Sequence, residues 1–276
     1  MPRMVIFGLG YTAARLAAQL QARGWDVVST GRNGTLSFDD SSNVRLALAD
    51  ASHVLSSVPP GGEGSDPVLE HYGSALAGKW LGYLSSTGVY GDTAGAWVDE
   101  TAPIGRGRRT ARAECDAAWL DLGARVFRLP GIYGPGRSAL DRVIAGKAHR
   151  IALDNQVFSR VHVDDIVSGV LAALTAPSGA YNLADDLPCN QNAVIEEACR
   201  LLGLAPPPLL PLDQAGLSPM ALAFYAENRR VANGKAKRVL GWRPRYADFY
   251  AGLRALIATS SPNSASTDPA TASGVQ

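Results

Sequence analysis

The chain has 276 residues, with 26 Lys and Arg against 25 Asp and Glu, a formal charge of +1 and 46% apolar residues. That length supports one large domain, or a domain with a smaller lobe, burying about 75% of the surface that its unfolded chain would expose. Balanced charge without a basic block or an aromatic-interleaved Lys/Arg stripe argues against nucleic acid, and no apolar run approaches the ~18 residues of a membrane span.

In chain order, the apolar run Met4-Val5-Ile6-Phe7 begins at once, with no signal peptide ahead of it, so the sequence predicts a cytoplasmic protein without membrane contact. Short apolar runs then alternate with Ala/Leu-rich helical stretches: 4–7, 15–23, 25–30, 53–58, 79–85, 111–122 and 125–129. This alternation predicts βα units feeding a parallel sheet. Only 22 residues, 31 to 52, are available for what should be a helix, a strand and another helix. Residues 35–38 read as a short strand and 43–49 as the helix after it, so the crossover helix is expected to be truncated or absent. Further on, the pattern predicts helices at 166–174, 190–202 and 246–258, and a strand at 180–183. From Thr259 a Ser/Thr/Pro/Ala run to Gln276 has too little apolar content to pack and is expected to be a disordered tail. Gly and Pro concentrate at Pro59-Pro60-Gly61-Gly62, at 131–136 and at Pro206-Pro207-Pro208, marking turns that can bear a site. Cys115, Cys189 and Cys199 lack ligand spacing and read as reduced, buried thiols, so neither a disulfide framework nor a metal is expected.

Gly8-Leu9-Gly10-Tyr11-Thr12-Ala13 follows the first apolar run and precedes an amphipathic helix. In that strand–turn–helix setting Gly8 permits a tight turn and Gly10 lets a pyrophosphate approach the backbone. Small Ala13 lets the helix pack on the sheet, while free N–H groups at the helix start form an anion site. A dinucleotide is the expected ligand. At the end of the second run, Ser29-Thr30-Gly31-Arg32 has no carboxylate to accept from a ribose 2′-hydroxyl, whereas Arg32 can pair with a 2′-phosphate. NADP(H) is therefore expected in preference to NAD(H).

Four later motifs carry a resemblance. They are Tyr83-Leu84-Ser85-Ser86-Thr87-Gly88-Val89-Tyr90-Gly91, Arg128-Leu129-Pro130-Gly131-Ile132-Tyr133-Gly134-Pro135-Gly136, Arg160-Val161-His162-Val163-Asp164-Asp165 and Tyr181-Asn182-Leu183-Ala184-Asp185. With Leu240-Gly241-Trp242 before the last helix, the chain from about residue 4 to 257 resembles the NAD(P)-dependent epimerase/dehydratase branch of the extended short-chain dehydrogenase/reductase superfamily. The resemblance implies an α/β fold, a Rossmann-type doubly wound parallel sheet with a small C-terminal substrate lobe. It assigns 1–183 mainly to the Rossmann domain, with 138–160 contributing to the lobe, 184–258 to the lobe and 259–276 to the tail.

The same resemblance puts Ser86, four residues before Tyr90, in position to orient a substrate oxygen. It places Gly8, Gly10, Tyr11, Thr12, Ala13, Arg32, Val58, Pro59, Ser85, Pro130, Ile132 and Tyr133 against the cofactor, and Thr87, Arg106, Arg137 and Arg160 against a small-molecule substrate. The family's Tyr-x-x-x-Lys pair, in which Lys lowers the phenol's pKa for proton exchange, is missing. Counting from Glu114 as the Glu that comes after that Lys puts Arg106 at the Tyr position and Thr110 at the Lys position, and arginine is too weak an acid to donate a proton near neutral pH. Arg106, Arg108, Arg109 and Arg112 can instead be a solvated helix face, an anion site, an oxyanion stabiliser, or the sign of a shifted register. Tyr90, with Tyr133 beside it, is the candidate replacement donor. Phe158 stands where sugar-nucleotide epimerases carry a diphosphate-binding Arg. His162 reads as loop packing, Asp164 and Asp165 as helix caps, and Arg128 as a structural ion pair under the 131–136 turn. Two functions fit this pattern: an atypical enzyme transferring hydride between NADP(H) and a carbonyl or alcohol, or an NADP(H)-binding sensor without turnover. The family's habit of pairing through the helix near Ala111 also admits a homodimer.

Overall fold

The computed structural model describes residues 1–62, 64–105 and 110–260. The first half alternates strand and helix: β1 (Arg3–Phe7), α1 (Tyr11–Gln21), β2 (Asp26–Ser29), α2 (Ser41–Ala49), β3 (His53–Ser56), α3 (Pro67–Tyr72), β4 (Trp80–Ser86), β5 (Trp97–Val98), α4 (Thr110–Asp121) and β6 (Arg125–Leu129). Next come β7 (Gly131–Tyr133), α5 (Ala139–Ile144), β8 (Arg150–Ile151), β9 (Arg160–His162), α6 (Val163–Ala172) and β10 (Gly179–Asn182). The last stretch holds α7 (Gln191–Leu202), β11 (Leu209–Leu210), α8 (Pro219–Tyr225), β12 (Arg230–Val231), α9 (Gly234–Val239) and α10 (Phe249–Ser260).

Six strands form one parallel sheet in the order β10-β6-β4-β3-β1-β2. Both faces are covered, which is why the strands read as continuous apolar runs. One face packs Met4, Ile6, Leu55, Leu84 and Phe127 against Leu16 and Leu20 of α1 and Ile166 and Val170 of α6. The other packs Val5, Phe7, Val54, Tyr83 and Val126 against Val44 and Leu48 of α2, Val68 and Tyr72 of α3 and Trp119 of α4. After β2 the chain crosses back to place β3 on the far side of β1, so the topology switches between β1 and β3. In open α/β sheets that is where ligands bind, outside the carboxyl ends of the strands.

No helix forms between β2 and α2, as the 22-residue interval requires. A turn closes from the Gly34 amide to Gly31 O at 2.9 Å, and a Cβ on Gly34 would come 2.6 Å from Ser29 O. The strand expected at 35–38 shrinks to one bridge, Thr30 to Leu36, because the Thr35 hydroxyl rather than a backbone group takes the Ser29 amide, at 3.0 Å. Asp40 then caps α2 by accepting from the Asn43 amide.

A third apolar cluster joins Tyr133, Ala139 and Leu140 to Val194, Ile195 and Ala198 of α7 and Phe249, Leu253 and Leu256 of α10. Ala236 of α9 and Trp242 pack instead in the first cluster, against the sheet, although the resemblance assigns 184–258 to the lobe. Trp242 Nε1 donates to Asp165 O at 3.1 Å, and the Asp165 carboxylate accepts the Arg245 and Tyr246 amides at 2.6 and 3.1 Å. That clamp holds residues 242–246 outside any helix, so the last helix starts at Phe249 rather than at 246. It ends at Ser260, two residues into the expected tail, and the remainder of that tail lies outside the described residues. Among the described residues no helix is long and apolar enough to cross a membrane.

Trp119 is fully buried, stacks on Tyr83 with centroids 5.5 Å apart and donates from Nε1 to Asp66 at 2.7 Å. Trp119→Ala is expected to cost about 3–5 kcal/mol of unfolding free energy, read by urea denaturation, since it leaves a cavity and deprives one buried Asp66 oxygen of its donor.

Candidate active site

The glycine turn sits at the switch point. Gly8 has φ +83°, and a Cβ there would come 3.2 Å from Val58 Cγ2 and 3.3 Å from Ser57 C, so the turns after β1 and β3 are in contact. The turn is held from β2, by Leu9 N to Thr30 O at 2.8 Å and Gly8 N to Thr30 Oγ1 at 3.3 Å. A Cβ on Gly10 would meet nothing within 4 Å, leaving an open approach to the start of α1, while Thr12 and Ala13 are buried beneath it. Arg32 is exposed one residue beyond Gly31, and a Cβ on Gly31 would lie 3.1 Å from Leu9 N. Arg32 makes no hydrogen bond or ion pair with the described residues. Pro59 is exposed just after Val58, on the same rim. Tyr11 donates to Pro135 O at 3.0 Å, and Arg137 lies over its ring at 5.7 Å, joining the glycine turn to the 131–136 loop.

A cavity of about 280 Å³ opens beyond the ends of β4 and β6, lined by Ser86, Thr87, Pro130, Ile132, Arg137 and Phe158, with Glu227 and Arg229 on another wall. Ser86 Oγ accepts the Gly88 amide at 3.1 Å, which leaves its O–H free to donate into the cavity. Arg229 Nη1 pairs with Glu227 at 2.9 Å and donates to Gly91 O at 2.6 Å. A second cavity, of about 710 Å³, shares Ile132, Arg137, Phe158, Ser159 and Phe224 with the first and extends into the lobe past Tyr133, Arg142, Lys147 and His149.

Several expectations require correction. Tyr90 is built into the core: its phenol donates to Asn182 Oδ1 at 2.8 Å, accepts from Arg128 Nη1 at 3.1 Å, and burial pushes its pKa up to about 12. A phenol so placed lines neither cavity. Tyr133 is buried too, with its hydroxyl toward Asp248 O at 3.5 Å and its pKa raised by burial; it borders the lobe cavity. The Ser85 hydroxyl turns away from the cofactor rim and donates to Asp116 at 2.6 Å. Arg160 lines the lobe cavity, but its guanidinium donates to Phe158 O, Cys189 O and Gln191 Oε1, commitments that fix it in the wall. His162, not Asp164 or Asp165, caps α6, accepting the Asp164 amide at 3.2 Å.

The register counted from Glu114 also moves. Glu114 is exposed, and the carboxylate turned to the sheet is Asp116, which pairs with Arg128 at 2.7 Å. Counted from Asp116, the Lys position falls on Arg112, which donates to Tyr83 Oη at 2.8 Å, and the Tyr position falls on Arg108. Arg106, Arg108 and Arg109 lie outside the described residues. The sequence reading missed Asp116, Glu227 and Arg229. The alternate phase of α4 was the signal for the first, and nothing local marks the other two, which reach the cavity from the chain's last quarter.

No family model matches the chain. It is similar to Protein YeeZ of Escherichia coli strain K12, 32% identical over 241 residues that cover 75% of this chain and 86% of that protein. A 3-diazoavenalumate denitrifying reductase from a Streptomyces species is 34% identical over 158 residues, covering 53% of this chain and 51% of that protein. Among solved structures, a functionally unknown conserved protein from Silicibacter pomeroyi matches 94% of this chain and 99% of its own, with 38% identity and a TM-score of 0.83. The dTDP-glucose 4,6-dehydratase of Bacillus anthracis, in complex with NAD, matches 94% of this chain and 97% of its own at 15% identity and a TM-score of 0.74, a likeness of fold. The chain belongs to the family of Protein YeeZ, and its fold is that of the NAD-dependent epimerases and dehydratases of the extended short-chain dehydrogenase/reductase type.

In this relative of Protein YeeZ two buried groups are electrostatically unsettled. Neither carboxyl oxygen of Asp185 has a hydrogen-bond partner of ordinary geometry; burial pushes its pKa up to about 8, with the Arg160 charge and the Leu187 amide pulling it down. His162 Nε2 is likewise without a partner, and burial lowers that imidazole to about 4, with Asp164 opposing. Asp185 binds its proton in the folded state up to about pH 8 but loses it near pH 4 when unfolded, so its contribution to stability falls as pH rises across that window. His162 acts with the opposite sign, its contribution being lost as pH falls from about 6.5 to about 4. Asp185→Asn should therefore gain stability relative to the parent as pH rises from 4 to 8 and level off above it, measured by urea unfolding across that range.

Proposed function

We propose that the protein is an NADP(H)-dependent oxidoreductase acting on a carbonyl or alcohol held in the Ser86 cavity. The observation that carries this reading is the placement of a hydroxyl donor, Ser86, at the carboxyl end of β4, two strands from a glycine turn that lies open at the switch point. The residues fit a dinucleotide: Gly10 leaves the approach to the α1 amides clear, and no carboxylate occupies residues 29–34. Arg32, uncommitted at the end of β2, would hold a 2′-phosphate, which supports NADP(H) over NAD(H). When bound, the cofactor supplies or accepts the hydride. Ser86 would donate its O–H to the substrate oxygen, and Arg229 adds positive charge to the wall where negative charge develops. Glu227, fixed against Arg229, keeps that charge from being isolated.

A second reading is favoured by one specific observation: among the described residues neither Tyr nor Lys lines the Ser86 cavity. A protein that binds NADP(H) and changes partner affinity without turnover needs the glycine turn but no acid–base pair.

Parallel titrations with NADPH and NADH, monitored by thermal unfolding and tryptophan fluorescence, test the cofactor. NADPH at a hundredfold excess over its dissociation constant should add about 2.7 kcal/mol, and Arg32→Ala should erase its advantage over NADH. With a carbonyl panel, Ser86→Ala should cut NADPH oxidation about 100-fold without loss of NADPH binding. Failure of both nucleotides to bind would overturn both readings; NADPH binding without turnover on any carbonyl would favour the second.

A further inference from the structure

The lobe cavity has a chemistry of its own. Among the described residues its cations are Arg137, Arg142, Lys147 and Arg160, with the His149 ring among them, and its one carboxylate is Asp141. Asp141 is spent locally, taking the Ser138 amide at 2.7 Å and the Ser138 hydroxyl at 2.6 Å. Arg137, Arg142 and Lys147 have no carboxylate partner among the described residues. Four cations against one carboxylate among the described residues therefore leave this mouth net positive, an arrangement that favours an anion from solution.

Further in, the wall is aromatic. Phe158 and Phe224 stack with centroids 4.3 Å apart and 13° between their planes, and Tyr225 meets Phe158 edge-on at 5.6 Å. Phe224 nonetheless keeps 42% of its surface exposed, so one of the largest apolar side chains of this wall has a face with nothing on it. Phe249, Leu253, Val194 and Ile195 continue the apolar lining.

The polar side chains along the same wall are largely occupied. Gln191 Oε1 accepts from Arg160 at 2.9 Å, Ser159 Oγ accepts the Val231 amide at 2.9 Å, and Ser138 serves the α5 cap. Away from these cations, sugar hydroxyls buried along this wall would find few unspent partners and would forfeit their bonds to water. A flat ring would forfeit none and would gain the open face of Phe224.

We propose that this cavity binds a compact aromatic anion, its ring against Phe224 and its carboxylate or phosphate at Arg142 and Lys147. Phe158 and Phe224 belong to both cavities, so the ring would lie at the passage toward Ser86 with its anionic group in the larger chamber. Any turnover of the bound anion rests on the oxidoreductase reading, but binding itself can be measured without turnover.

The full-length protein is titrated calorimetrically with 3-phenylpropanoate, phenyl phosphate, neutral 3-phenylpropanamide and UDP-glucose, and the same preparation is titrated with NADPH. At least one aromatic anion should bind about tenfold more tightly than the amide, and both aromatic anions should outcompete UDP-glucose. Comparison of the two anions tells a carboxylate site from a phosphate site. Arg142→Ala combined with Lys147→Ala, both on the exposed rim, should erase the advantage over the amide; Phe224→Ala should weaken every aromatic probe. Equal binding of acids and amide, tighter binding of UDP-glucose, or no aromatic binding by a protein that NADPH still stabilises would overturn the proposal alone. Aromatic-anion binding by a protein that ignores NADPH would sustain it and overturn the oxidoreductase reading instead.

Discussion

The buried ion pair between Arg128 on β6 and Asp116 on α4 is the constraint on which the site end of the sheet depends. The two side chains are 3% and 0% exposed, and desolvating them is tolerable only because their remaining hydrogen-bond capacity is used. Asp116 also takes the Ser85 hydroxyl; Arg128 donates onward to Tyr90, and Tyr90 to Asn182. Asn182 gives its amide N–H to Glu100 at 2.7 Å and its side-chain N–H to Ala232 O at 3.1 Å. One network thus pins the carboxyl ends of β4, β6 and β10, the turn after β4 and the segment that comes after β12. Ser86, Thr87 and Pro130 each lie within two residues of a pinned residue in the chain, so the cavity wall inherits its rigidity from a cluster of which Ser85 itself lines the cavity.

The lobe is secured in a different way. After β10 the chain leaves the sheet for α7, and it comes back at Ala236 and Trp242 before departing once more into α10. The Asp165 carboxylate grips this returning segment by two backbone amides, while Lys237 reaches Asp186 at the exit point. At the contact itself α10 runs so close to Tyr133 that a Cβ on Gly252 would collide with the phenol ring.

Legibility in the sequence depends on which features are local. The glycine turn, the open Arg32 and the missing crossover helix depend on short-range spacing and on the chain length available, and each could be read from a few consecutive residues. The fate of a phenol or a carboxylate could not. Tyr90 stands in a loop motif beside the expected site, yet whether its ring points out or in is decided by Arg128 and Asn182, 38 and 92 residues away. Glu114 and Asp116 are two residues apart and chemically alike; on a helix that separation turns one to solvent and the other to the sheet, and the Arg-rich run ahead of α4 gives no apolar stripe to fix the phase. Glu227, Arg229 and Phe224 meet Ser86 only through the lobe's tertiary path, for which adjacent residues hold no cue.

The trimmed connection after β2 also determines how the sheet ends. β2 is the outermost strand, and a bare outer strand offers its unpaired amides and carbonyls to any passing chain. Here the fold spends no further strand on protection: Leu36 donates back to Ser29 O at 3.0 Å, the Thr35 hydroxyl stands in for a neighbouring carbonyl, and the strand itself is four residues long. A few turn residues thereby make the border of the sheet a poor template for edge-to-edge growth, while the same turn presents Arg32 outward on that border.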